Sequence, residues 1–278
     1  MTTAETLGGG VAVITGAAGG LGAGFAHAAA TAGMTVIAID VVADRLDEVA
    51  ADVRARGGKV FPYVVNVADP SAVEALAKTV HDDFGEVRLL INNAAVETLG
   101  RIWEVPAEVW QRTFSINVFG IANGIRAFLP NMIESGRPAY VSNVASSGML
   151  GVLPTHGVYI ATKAAIFSLT ETLYLDLEPL GKPIHVSVVL PHAVASRIIQ
   201  DAFTTEAAKA EAAETAKHIV RGMDPMTAGR IALDGIASGA FWISSHPDVV
   251  AQIARERAAR FTRMDRPNRT RTFEMPRT

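Results

Sequence analysis

Short unbroken apolar runs alternate with longer amphipathic stretches through the first two thirds of the chain, and no other feature narrows the fold as much. The apolar runs are Val11–Thr15, Met34–Asp40, Val60–Val65, Arg88–Asn92, Ala139–Asn143 and Ile184–Leu190. Between them the sequence reads as helix over Leu21–Ala32, Ala43–Arg56, Pro70–Phe84, Glu108–Glu134 and Val158–Leu180. Strand and helix in succession form βαβ units, whose right-handed crossovers place parallel strands in one sheet with helices on both faces. Continuous runs, rather than every second residue apolar, fit a sheet covered on both sides. Gly57 and Gly58 stop the second helix, and Asp69 is placed to cap the third. The expected fold is therefore α/β, a doubly wound parallel sheet of about seven strands. Neither an internal repeat nor a low-complexity linker divides the chain, so residues 1–278 read as one domain.

Composition removes several functions. A net charge of −3 gives no reason to expect nucleic acid or an anionic membrane as partner. With no cysteine, disulfides, thiolate chemistry and Cys-ligated zinc are excluded, and no metal site is expected. Met1–Gly10 has neither a basic nor an apolar signal-peptide region, so a cytoplasmic location is expected. Gly8–Ile39 carries no full charge and is long enough to span a bilayer. Its scattered glycines instead mark a turn between strand and helix.

That turn is Thr15-Gly16-Ala17-Ala18-Gly19-Gly20-Leu21-Gly22. Glycines permit a tight bend and let backbone N–H groups approach a pyrophosphate, while the helix N-terminus adds about half a positive charge. The position, after a strand and before a helix, is that of a Rossmann-like dinucleotide site. Asp40 ends the next strand, where a carboxylate accepts both adenosine ribose hydroxyls and repels a 2′-phosphate. NAD is thus expected over NADP. Asp40 could instead merely cap the next helix, and Arg45 on that helix is the residue best able to hold a 2′-phosphate.

Tyr159 and Lys163 stand four apart at the start of a helix and so share a face. A free phenol titrates near pH ~10, too high for a base at neutral pH. A neighbouring ammonium is expected to favour the phenolate and lower that value. Ser146 lies just past the fifth strand, where its hydroxyl could hold a substrate oxygen or simply make a turn. Asn117 falls inside the long helix, where Asn is a poor helix former. If buried it needs partners, and a bound water is one reading.

In this order, the glycine turn, Asn92-Asn93-Ala94-Ala95, Asn117, Ser146, Tyr159, Lys163 and Pro191 resemble the short-chain dehydrogenase/reductase family in its shorter, single-domain form. The likeness runs from about Gly10 to Leu190. It implies that Asn117, Ser146, Tyr159 and Lys163 are catalytic: Asn117 holding a water, Ser146 the reacting oxygen, Tyr159 the proton, and Lys163 the nicotinamide ribose. It further implies cofactor contacts from Gly16, Gly20, Leu21, Gly22, Asp40, Asn66, Val67, Asn93, Ala94, Pro191, Val194 and Ser196. Substrate contacts are expected from Val96, Leu150, His156 and His192, together with Ser146 and Tyr159. Three positions depart from the family pattern: Asn66 replaces a frequent Asp, Ala95 a common Gly, and His192 the Gly usual after Pro191. The family also implies a homo-oligomer, dimer or tetramer, packed through the two long helices. A weaker likeness, resting on Gly136-Arg137-Pro138, Ser244–Pro247 and the Arg-rich tail, is to bacterial Cα-dehydrogenases of lignin aryl ethers.

Residues 192–227, with an Ala/Glu/Lys-rich helix at Glu206–Val220 and no strand nearby, read as an insertion that covers a pocket. Residues 255–278 hold eight Arg against three acids and read as a solvated tail or a dock for a neighbouring subunit. The expected activity is hydride transfer between NAD(H) and a bulky, hydrophobic or aromatic secondary alcohol or ketone. The alternatives are a non-redox lyase or epimerase, or a non-catalytic NAD-binding regulator.

Overall fold

A computed structural model describes residues 2–268, and in it the alternation becomes a single parallel sheet between two helical layers. In chain order the elements are α1 (Thr3–Leu7), β1 (Val11–Thr15), α2 (Gly20–Thr31), β2 (Thr35–Asp40), α3 (Ala43–Ala55), β3 (Lys59–Val64), α4 (Pro70–Phe84), β4 (Val87–Asn92) and β5 (Thr98–Leu99). There follow α5 (Ala107–Phe114), α6 (Gly120–Ser135), β6 (Ala139–Val144), α7 (Gly157–Leu177), β7 (Ile184–Val189), β8 (Phe203–Thr204), α8 (Lys209–Val220), α9 (Pro225–Ala237), β9 (Trp242–Ile243) and α10 (Pro247–Arg263). The main sheet has seven strands in the order β3-β2-β1-β4-β6-β7-β9, with every pair parallel. Strand order reverses between β1 and β4, and the crevice beyond the carboxyl ends of the strands at such a switch is where ligands bind.

The apolar runs of the inner strands are buried because those strands face helices on both sides, whereas on the edge strand β3 Phe61 and Val64 are exposed. All five residues of β1 are buried, Ala12 and Ile14 toward one layer and Val13 toward the other. One layer packs Phe25, Leu46 and Leu233 on the sheet, and the other packs Leu76, Phe128 and Leu129.

The structure departs from the sequence reading in four places. The long helix is not regular: α5 and α6 are joined by a π-helical turn, Ser115–Phe119. A two-residue strand, β8, lies inside the segment read as strand-free, paired in parallel with β5 through Thr98↔Phe203 and Leu99↔Thr204. A two-rung ladder leaves no hydrophobic period to detect. The short α1 is held by a capping box between Thr2 and Glu5. Finally, α7 stops at Leu177, followed by a 3-10 turn over Glu178–Leu180. Of the Arg-rich segment, the part up to Arg263 belongs to α10, and residues 269–278 lie outside the described residues. Among the described residues no helix is long and apolar enough to cross a membrane.

Candidate active site

At the carboxyl end of the sheet the chain encloses a cleft of about 980 Å3, running from the glycine bend past Tyr159 to α8. The bend is closed by main chain. Gly16 has φ +68°, and a Cβ there would lie 2.7 Å from the Ala94 Cα. A Cβ on Gly22 would fall 1.9 Å from the Gly16 carbonyl oxygen. Asn93 locks this geometry, its Nδ2 donating to the carbonyls of Thr15 (2.9 Å) and Gly16 (3.1 Å). Thr15 Oγ1 in turn accepts the amides of Asn93 and Ala94 at 2.9 and 3.0 Å. The result presents the N-terminus of α2 to the cleft through Gly16, Gly19, Gly20 and Gly22, with Leu21 and Ser196 flanking it. This glycine-rich cradle at a positive helix end fits a dinucleotide pyrophosphate.

Asp40 lines the same end. Its Oδ1 accepts the amides of Val41 (2.7 Å) and Val42 (3.1 Å), and its Oδ2 accepts Ala18 N (3.0 Å). These bonds fix the carboxylate at the cleft without capping α3, whose N-cap is Val42 and takes no side-chain bond, and each oxygen keeps lone pairs for a further donor. Arg45 also lines the cleft, but its guanidinium is 2.8 Å from Asp201 Oδ2, on the segment before α8. Arg197 approaches the same carboxylate at 3.5 Å.

The first turn of α7 carries Tyr159 and Lys163 on one face. Lys163 is 2% exposed, donates from Nζ to the Val144 carbonyl at 2.8 Å, and lies 5.5 Å from the Tyr159 ring centroid. Ser146 follows β6 in extended backbone (φ −170°), accepts Gly148 N at its Oγ (3.0 Å), and hydrogen-bonds toward the Tyr159 phenol. Titration of this centre differs from the sequence expectation. Burial, and secondarily the charge of Glu97, push the Tyr159 phenol above its ordinary value, against the lowering effect of Ser146. Lys163 does not reverse this; burial lowers Lys163 itself to about 8. Desolvation of the phenolate outweighs the nearby ammonium.

Asn117 is also placed differently from the expectation. It is fully buried in the π-helical turn, a device frequent at functional sites. Its Oδ1 accepts Val96 N (2.8 Å), and its Nδ2 donates to Val96 O (2.9 Å) and Thr162 Oγ1 (3.0 Å). These bonds clamp the main chain just before Glu97. Of the other expected contacts, Gly20, Leu21, Val96, His156, Pro191, His192, Val194 and Ser196 line the cleft. Asn66, Val67, Ala94 and Leu150 do not. Asn66 is exposed, with its Oδ1 taken by Ala68 N (3.0 Å). Val67 is buried, with its carbonyl accepting Asn123 Nδ2 (2.9 Å). The Ala94 amide is turned to Thr15, and Leu150 packs with Ile121 and Met149.

Residues the sequence reading missed also meet here. Glu97 is 5% exposed, lines the cleft, and lies 3.6 Å from the buried His156 ring. Burial raises its carboxyl above the ordinary range, with His156 opposing. A lone acid two residues past Asn92–Ala95, beyond a fully buried strand, was the available signal. At the far end His192 lies between two further imidazoles, 6.1 Å from the His218 ring and 5.5 Å from the His246 ring. Burial, then the neighbouring His246 and His218, lower His192 to about 4, and Ser147 Oγ is 3.0 Å from its Nδ1. From the segment 192–227, Ile198, Ile199, Thr215, His218 and Ile219 wall this end.

Comparison with known proteins agrees with this architecture. A family model described as short chain dehydrogenase matches residues 10–207. The 1-deoxy-11-beta-hydroxypentalenate dehydrogenase of Streptomyces exfoliatus is 36% identical over 193 residues, covering 68% of this chain and 69% of that protein. The probable oxidoreductase EphD of Mycobacterium bovis is 32% identical over 186 residues, covering 67% of this chain but only 31% of that longer protein. Among solved structures, a short chain dehydrogenase/reductase from Burkholderia phymatum in complex with NAD superposes with a TM-score of 0.91 at 32% identity, covering 95% of this chain and 98% of that one.

Proposed function

The chain belongs to the short-chain dehydrogenase/reductase family, and from that premise we propose that it oxidises a secondary alcohol, or reduces the corresponding ketone, with NAD as hydride carrier. The observation that carries this reading is Tyr159 beside buried Lys163, with the Ser146 hydroxyl in reach, in a cleft whose other end is the glycine cradle.

The family binds a nicotinamide cofactor, and the chemistry that group supplies when bound is hydride transfer at carbon. The protein's own residues handle the proton. Ser146 holds the reacting oxygen. Tyr159, kept protonated by burial, gives its proton in the reductive direction; in the oxidative direction it takes one only as the phenolate, a form that the positive nicotinamide ring would favour when bound. Lys163, at about 8, keeps its charge at neutral pH and faces the phenol from one helical turn away. Asn117 positions the Val96 wall. Gly16, Gly20, Leu21 and Gly22 would hold the diphosphate, and Pro191, Val194 and Ser196 the nicotinamide end. Asp40 would take the ribose hydroxyls, with Arg45 held away from a 2′-phosphate by Asp201; both support NAD over NADP.

The apolar lining from Ile198, Ile199 and Ile219 supports a bulky hydrophobic substrate covered by segment 192–227. Phe119, Tyr174 and Leu175, exposed on the π-helical turn and α7, support a homo-oligomer packed through these helices. The test is to supply NAD or NADP with aryl, alicyclic and terpenoid secondary alcohols and follow reduced nicotinamide. Turnover with NAD is expected. Consumption of substrate with no reduced nicotinamide, or a tenfold preference for NADP, overturns the corresponding part.

A further inference from the structure

We propose that Glu97 and His156 form a subsite for a second hydroxyl on the substrate, so that the enzyme favours a diol over the matching mono-alcohol. The proposal rests on the reading of Tyr159 as the acid/base for an alcohol, and it adds the substrate class.

Glu97 and His156 are both nearly buried, their side chains 5% and 7% exposed, yet both line the cleft. The protein gives this carboxylate few donors. Oε1 accepts Thr98 N at 3.0 Å and stands 3.6 Å from His156 Nδ1, beyond ordinary hydrogen-bond length. Among the described residues no hydrogen bond reaches Oε2. A desolvated carboxylate left so sparsely partnered is costly, and a donor from the cleft side relieves that cost.

The surroundings are built to hold the pair. Asn117 clamps both backbone groups of Val96, the residue before Glu97. Thr155, the residue before His156, has φ +65°, a strained conformation for a β-branched side chain, and its carbonyl accepts Gly100 N at 2.8 Å. His156 is the N-cap of α7, three residues before Tyr159, and the Glu97 charge acts on the Tyr159 phenol within the same cleft. A group on Glu97–His156 therefore belongs to the same small molecule as the oxygen on Tyr159.

The donor should be neutral. Lys163 is close enough for its charge to act on Glu97, and a second ammonium beside it would be repelled. No group of three or more metal-ligating side chains exists among the described residues, which leaves a hydroxyl as the simplest fit.

The experiment compares two matched pairs, cyclohexanol with vicinal cyclohexanediol and indanol with vicinal indanediol, with NAD. kcat/KM is measured for the wild type, Glu97→Gln and Glu97→Ala. Binding of each probe to the NAD-loaded protein is measured separately by calorimetry, and folding is checked by thermal unfolding. The expected result is a diol preference of about 10–100-fold, the range for a hydrogen bond to a charged group, in at least one pair. That ratio should collapse toward one in Glu97→Ala and fall severalfold in Glu97→Gln. Equal binding of diol and mono-alcohol by the wild type overturns the subsite. So does a loss in the variants that is the same for both members of a pair and moves the pH profile, which would make Glu97 part of a proton path. Diol-selective binding without turnover of any probe would count against the alcohol reading alone.

Discussion

At the glycine bend the cleft is walled mainly by main chain, held by the side chains of Asn93, Thr15 and Asp40, whereas beyond Tyr159 it is walled by side chains from β5's approach, α7, the end of β7 and α8. The first wall is a shape: remove any room at Gly22 and no diphosphate fits. The second is a chemical surface, with Glu97–His156, two further imidazoles (His192 and His218) and several isoleucines, and each can change without disturbing the bend. One fold can thus keep its cofactor while its substrate changes, because the two specificities reside in different kinds of structure.

The sharpest division is expected from Tyr159→Phe. Turnover should fall by at least about 10²–10⁴-fold, the range for losing general acid/base catalysis, while NAD affinity by calorimetry stays within a few fold. Comparable loss of both would mean the two ends are not separable. Next is Gly22→Ala, which adds a methyl 1.9 Å from a carbonyl oxygen. It should weaken NAD binding more than truncation of any side chain at that end, and destabilise the fold by about 1–3 kcal/mol, read by denaturant unfolding. An Asp40→Ala variant with the larger NAD defect would reverse the contrast.

A smaller effect tests a place where the two walls touch. Asp201→Ala releases Arg45 toward the ribose, so NADP affinity should rise severalfold relative to NAD in fluorescence titration; exposed ion pairs are worth under about 1 kcal/mol. No shift in the ratio would mean Arg45 cannot reach that phosphate. The smallest effect is expected from His192. Its pKa is about 4 in the fold, against 6.5 ordinarily. Between these values the unfolded chain binds the extra proton, so the stability from keeping His192 neutral is complete above pH 6.5 and lost as pH falls toward about 4. His192→Gln should flatten the fall in Tm across that window by several degrees, read by thermal unfolding. His246, also lowered by burial, keeps the remainder.

The sequence legibility of the two ends follows the same line. Strands β1, β2, β4, β6 and β7 of the main sheet could be read because burial on both faces writes itself as a continuous apolar run, and the bend because a φ of +68° favours glycine and a Cβ at Gly16 would strike Ala94. Tyr159 and Lys163 could be paired because helical spacing is local. What could not be read depends on distant partners. The β5–β8 ladder joins residues far apart in the chain with two rungs. The burial that raises Tyr159 comes from elements converging on it, not from its neighbour Lys163. Asn117 looked thirsty in isolation, and only the fold shows Val96 lying alongside it.

That two-rung ladder has a practical corollary. The segment 192–227 is not an appendage stitched on at its ends: Phe203 and Thr204 are bonded to the residues directly after Glu97, and Thr205 N donates to Leu99 O at 2.9 Å. A chimera that grafts a foreign insertion between β7 and α9 must therefore import residues 98–100 as well, or its new cover will arrive with no anchor and leave the acid beside it unframed.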